Sequence, residues 1–111
     1  MGKLNGMTEL SASAVARRPI RVLLADDDDQ ARRALRAQLA VAADIDVVGE
    51  ANDGALALQL ARWLRPDVAL FDDDMPVMGG PELARVLAKE LPEVRVVVLT
   101  TGGKTADVRE R

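Results

Sequence analysis

The chain has 111 residues, 49% of them hydrophobic and 30% charged, with a formal net charge of −3, which suits one globular domain with one core. The acidic balance argues against a face for direct nucleic-acid binding, and the absence of Cys and His excludes disulfides, thiolate catalysis, Cys-based zinc sites and the commonest general base. No apolar run approaches the ~20 residues of a membrane span, and no continuous apolar segment opens the chain, so the expectation is a cytoplasmic protein with no membrane contact.

Residues 1–18 are mixed and rich in small residues (Gly2, Gly6, Ser11, Ser13). They read as a flexible leader with a short helix over Glu9 to Arg17, and the domain is expected over residues 19–111. Ile20–Ala25 is an apolar run that stops at Asp26-Asp27-Asp28-Asp29, the pattern of a buried strand ending at a turn. Asp28 or Asp29 can cap the next helix, because a carboxylate there accepts from free backbone N–H groups and suits the dipole. That helix is expected to run to about Ala43 with Ala31, Ala34, Leu35 and Leu39 on its buried face. Asp46–Ala51 is a second strand, less apolar and therefore nearer an edge. Asn52-Asp53-Gly54 is a turn. Ala55–Leu64 is a helix burying Leu56, Leu60 and Leu64, with Trp63 as a further packing residue, and Pro66-Asp67 ends it.

Val68–Phe71 is strand three, and it ends in Asp72-Asp73-Asp74-Met75-Pro76. Gly79-Gly80 supply backbone freedom, and Pro81 suits the first turn of a helix to Glu90 that buries Leu83, Val86 and Leu87. Arg95–Thr100 is a β-branched fourth strand. Thr101-Gly102-Gly103 is a loop, and Lys104–Arg111 reads as the start of a fourth helix. Strands alternating with helices across short links imply right-handed βαβ units, that is, an α/β doubly wound parallel sheet with helices on both faces.

In such a sheet the working groups lie beyond the carboxyl ends of the strands. Asp26 and Asp27 follow strand one, Asp72 follows strand three and Thr100 ends strand four, so all four are expected on one rim. Seven of the 18 acidic residues fall in the two strand-end clusters. At ~4 Å and an effective dielectric of ~20, two carboxylates repel by about 4 kcal/mol, so a divalent cation or a captured proton has to offset their approach. Oxygen donors without N or S partners favour Mg²⁺ or Ca²⁺ over zinc. A carboxylate beside such a metal can act as a nucleophile towards phosphorus, and a nearby hydroxyl can donate to a phosphoryl oxygen. The side chains of Asp28, Asp29, Asp73 and Asp74 read as a cap and solvated charges.

Leu24-Ala25-Asp26-Asp27, Asp72-x-x-Met75-Pro76-x-Met78-x-Gly80 and Val96–Leu99-Thr100-Thr101 together resemble a bacterial response-regulator receiver domain. Val47-Val48-Gly49-Glu50-Ala51-x-Asp53-Gly54 and Pro66-Asp67-Val68 resemble the subgroup that usually carries a helix-turn-helix output domain. The resemblance covers Ile20 to about Thr101. It implies a flavodoxin-like fold with Asp72 as phosphoacceptor. It also implies Mg²⁺ held by Asp27, Asp72 and the backbone carbonyl of Asp74, with Asp26 acting through a metal-bound water. Thr100 is then the switch hydroxyl, and catalysis of transfer rests on Asp72 and Thr100. The phosphoryl donor is a sensor histidine kinase, and the chain is a signalling module rather than an enzyme acting on external substrates.

Family members continue past strand four through a helix, a fifth strand and a fifth helix. With its last residue at Arg111, the chain is expected to lack the fifth strand and fifth helix, together with the phosphate-contacting lysine and the aromatic switch position of that strand; Lys104 is not an equivalent. Strand four then becomes an edge, and long apolar edges seek partners, so self-association through that edge or helix four is expected. Two other functions compete. An interaction-only pseudo-receiver is favoured by the expected loss of the lysine. A phosphatase of the haloacid-dehalogenase type would use Asp72 as nucleophile and Asp74 as general acid, although Pro76 and the position of the motif in the chain oppose it.

Overall fold

The computed structural model describes residues 18–100 and the backbone of residues 105–107. In chain order these form β1 (Ile20–Ala25), α1 (Asp29–Ala40), β2 (Ile45–Ala51), α2 (Gly54–Leu64), β3 (Val68–Asp72), α3 (Gly80–Glu90), β4 (Arg95–Leu99) and β5 (Thr105–Asp107). The sheet order is β2-β1-β3-β4-β5. The first four strands are parallel, while β5 runs antiparallel to β4. The chain therefore builds a doubly wound α/β sheet of flavodoxin-like form, with no fifth parallel strand or fifth helix among the described residues. The more polar β2 is an edge strand, as its composition implies.

Period-two alternation sorts the strand residues onto two faces. Leu23, Ala25, Ala69, Phe71, Val96 and Val98 join Ala57 and Ala61 of α2 and Leu83, Ala84 and Leu87 of α3 in one core. Phe71 sits at its centre with 0% exposure. Val22 and Leu24 are also buried but lie outside that cluster, on the opposite face, where α1 packs against β1 and β2. On the shared face α2 and α3 touch one another, and the Arg62 guanidinium forks onto Glu90 with two bonds of 2.8 and 2.9 Å.

The helices depart from the expected burial in four places, one of them in α3, where Val86 is half-buried and Ala84 joins Leu83 and Leu87 in the core. No residue of α1 is fully buried; Leu35 and Leu39 are half-buried, while Ala31 and Ala34 face solvent. The helix lies over the β2–β1 side of the sheet, so only its deepest positions reach strand side chains. In α2 the buried stripe is Gly54, Ala57 and Ala61, because small residues let the helix axis approach the sheet. Leu60 and Leu64 flank that stripe half-buried, and Leu56 is exposed. Trp63 is 79% exposed and packs into no core.

The C-terminal expectation also changes. Thr105–Asp107 is a strand, not a helix, and it pairs Val97↔Asp107, Val98↔Ala106 and Leu99↔Thr105. An edge strand carries unpaired N–H and C=O groups that an extended neighbour satisfies better than a helix can. The edge of β4 expected to recruit a second copy is thus covered by the chain itself over Val97–Leu99. The leader, the expected helix over Glu9 to Arg17, the loop at Thr101-Gly102-Gly103 and Lys104 lie outside the described residues.

Candidate functional site

Parallel pairing of β1 with β3 aligns Ala25 with Phe71, so the residues that follow them leave the sheet at the same rim. Asp26, Asp27 and Asp72 converge there. Each offers a carboxylate oxygen, and the three oxygens lie within 4.8 Å of one another. Asp26 and Asp72 are half-buried and Asp27 is exposed. An oxygen-only donor set of this size and charge fits a hard divalent cation.

The backbone at Asp26 and just beyond Asp72 is fixed by hydrogen bonds. The Asp26 N–H donates to the Ala51 carbonyl at 3.0 Å, and its carboxylate Oδ1 accepts from the Asp28 N–H at 2.9 Å. Asp28 caps α1 by accepting from the Gln30 and Ala31 N–H groups. Beyond Asp72, the Asp73 N–H donates to the Leu99 carbonyl at 2.9 Å, and the Gly80 N–H donates to the Asp73 carbonyl at 3.2 Å. The loop returns so closely that a Cβ on Gly80 would meet the Asp72 carbonyl oxygen at 2.5 Å, which gives this glycine a steric reason. Between them Val77 holds a φ of 72°, with the Met78 N–H donating to the Pro76 carbonyl at 2.8 Å. That is a strained γ-turn for a β-branched residue.

The Asp72 carboxyl is pushed up from its ordinary 3.8 to about 6. Burial is the largest cause, followed by the charges of Asp26, Asp73 and Asp27 and a hydrogen bond with the Asp73 side chain. Both routes disfavour the ionised form: burial through lost hydration, the neighbours through repulsion. The rim is therefore a concentration of negative charge that raises the cost of ionising Asp72.

Thr100 follows β4 directly, and the register pairs Leu99 with Asp72, so Thr100 stands one residue beyond the phosphoacceptor candidate on the neighbouring strand. Asp74 is exposed and is not one of the three converging acids, which removes support for its use as a general acid in the phosphatase alternative. Asp73 departs from the sequence reading: it is half-buried and bonded to Asp72 rather than solvent-facing. Asp53 was also missed as a cap. Its carboxylate accepts from the Leu56 N–H at 2.8 Å, and an Asx residue three before a leucine-rich helical run was the available signal.

The family model described as the response regulator receiver domain matches residues 22–111. The chain belongs to the response-regulator receiver family. Its curated relatives include the response regulator GacA of Pseudomonas aeruginosa, 44% identical over 73% of this chain and 38% of that protein. The transcriptional regulatory protein LiaR of Bacillus subtilis is likewise 44% identical, over 74% of this chain and 39% of that protein. This receiver thus spans about two-fifths of the length of the curated relatives it matches. Among solved structures, the signal receiver domain of the response regulator NarL from Mycobacterium tuberculosis superposes with a TM-score of 0.74 at 34% identity, covering 78% of this chain and 70% of that one. No helix among the described residues is long and apolar enough to cross a membrane.

Proposed function

We propose that this receiver accepts a phosphoryl group on Asp72 from the phosphohistidine of a partner kinase, with Mg²⁺ held by Asp26, Asp27 and Asp72. The observation that carries the reading is the approach of three carboxylate oxygens to within 4.8 Å at the ends of two adjacent parallel strands. Asp27 and Asp72 would ligate the metal directly with the Asp74 backbone carbonyl, and Asp26 would act through a bound water. Bound there, Mg²⁺ supplies positive charge against the phosphoryl oxygens and the clustered carboxylates.

The chain's own residues do the rest. With its carboxyl pushed up to about 6, Asp72 still favours the ionised, nucleophilic form at pH 7. A carboxylate oxygen of Asp72 attacks phosphorus as the P–N bond to the donor imidazole breaks, and the bonding pair leaves with the imidazole nitrogen. The sequence contains no His, so the donor ring has to come from elsewhere. The pairing of Leu99 with Asp72 supports Thr100, the next residue on that strand, as the hydroxyl that donates to a phosphoryl oxygen and so reports its presence. The chain is an acceptor in a relay, and the readout lies with partners.

Beryllofluoride, which mimics the phosphoryl group on an Asp, tests the assignment. Wild type with Mg²⁺ is expected to bind it and shift the amide resonances of residues 72–80 and 100. Asp72→Asn is expected to show no shift, and equal binding by both would refute the role of Asp72.

A further inference from the structure

Arg32 is a closely held cation beside the acidic rim, and the proposed chemistry does not use it. Its side chain is only 15% exposed. One guanidinium nitrogen donates to the Asp26 backbone carbonyl at 2.7 Å, the second to Asp29 Oδ1 at 2.7 Å, and Nε donates to Glu50 Oε1 at 3.1 Å. Glu50 is held in turn by Arg36 at 3.1 Å on its other oxygen. Three segments are joined by this one group: the β1 strand end, the first turn of α1 and the end of β2.

The bond to the Asp26 carbonyl matters most. That carbonyl belongs to the peptide unit carrying the nitrogen of Asp27, so fixing its direction fixes the plane from which both acids project. Asp26 is then held at every polar backbone atom, its N–H by Ala51 and its C=O by Arg32. A half-buried charged donor makes a stronger bond than a neutral one. The three acceptors are met by three different nitrogens of one rigid plane, whereas a lysine ammonium gathers its three donors on a single atom and cannot span them in this arrangement.

We propose that Arg32 is a positioning residue that holds the Asp26–Asp27 peptide in the orientation the cation site needs, with Glu50 as the anchor that aims it. This rests on the metal-site reading above, and it extends the site to the β2 edge of the sheet.

The test pairs a metal-dependent and a metal-free readout on wild type, Arg32→Met, Arg32→Lys, Glu50→Gln and the remote ion-pair control Arg62→Gln. Loss of a group that orients metal ligands typically weakens metal affinity by about tenfold or more. Arg32→Met is expected to lose that much Mg²⁺ affinity by calorimetry and to speed hydrogen exchange of the Asp28 amide in chelated buffer, with the Phe71 amide unchanged. Arg32→Lys is expected to resemble Arg32→Met, Glu50→Gln to fall between, and Arg62→Gln to match wild type. Unchanged Asp28 exchange in Arg32→Met overturns the proposal whatever the metal does. Wild-type Mg²⁺ affinity restored by Arg32→Lys also overturns it, because charge alone would then suffice. Loss of Asp28 protection in a protein whose wild type binds no Mg²⁺ supports the positioning role and refutes the metal-site reading instead.

Discussion

Replacing Asp72 with Asn should stabilise the metal-free protein, and only above the pH at which Asp72 ionises. The folded state raises the Asp72 carboxyl from 3.8 to about 6, so it binds that proton more tightly than the unfolded chain does. Folding is therefore unpenalised by this group below about pH 4, loses stability as the pH rises through the interval to about 6, and carries the full penalty above it. A shift of about 2 units corresponds to roughly 3 kcal/mol at 1.36 kcal/mol per unit. Asp72 is half-exposed at a solvated rim, and screening reduces the expected gain to about 1–2 kcal/mol. Urea unfolding followed by circular dichroism, in chelator, at pH 4 and pH 7.5, measures it. At pH 7.5 the variant midpoint should lie about 1 M above wild type for a domain of this size, and at pH 4 the two should coincide. A variant no more stable at pH 7.5 than at pH 4, relative to wild type, would refute the electrostatic picture of the rim.

Mg²⁺ should raise the unfolding temperature of wild type, because a ligand that binds only the folded state stabilises it by mass action. Asp27→Asn should abolish that response while leaving the metal-free protein at least as stable, and differential scanning with and without Mg²⁺ reads both. Gly80→Ala should destabilise by about 1–3 kcal/mol, since its Cβ meets backbone rather than a movable side chain, and should weaken Mg²⁺ binding by displacing the Asp72 carbonyl; thermal melts and metal titration check the pair of effects. Val77→Gly should stabilise by about 1 kcal/mol, because release of the strained φ of 72° outweighs the added freedom of the unfolded chain. Equal or lower stability of that variant in urea would count against strain at Val77.

The rim was legible in the sequence because the converging acids stand where two apolar runs end. Ile20–Ala25 and Val68–Phe71 are short apolar runs closed by turn signals, which reads as strands leaving a core, and a parallel sheet puts both exits on one side. Asp28 as a cap and β2 as an edge follow from equally local chemistry. Contacts between segments were not legible. The spacing of Leu56, Leu60 and Leu64 marks a helical face, but Ala57 and Ala61 reach the sheet because the approach distance of two elements is decided by the smallest residues between them. The exposure of Trp63 is the same lesson, since an aromatic on an apolar helix seems buried until the neighbouring helix is placed. Asp73 looked like a solvated charge because nothing local shows that the loop folds back to Gly80 and turns its carboxyl onto Asp72. The short strand at Thr105–Asp107 answers the need of the β4 edge, which no propensity of those three residues expresses.

Asp26, Asp27 and Asp72 are proposed to form one cation pocket in which Asp72 takes up phosphate. Incubation with a small-molecule phosphoryl donor, followed by intact-mass and peptide-mass measurement, tests it most directly. A single hydroxylamine-labile adduct on Asp72 is expected, formed with Mg²⁺ and not in chelator. An adduct on another residue, or one that forms equally well in chelator, would contradict the proposal.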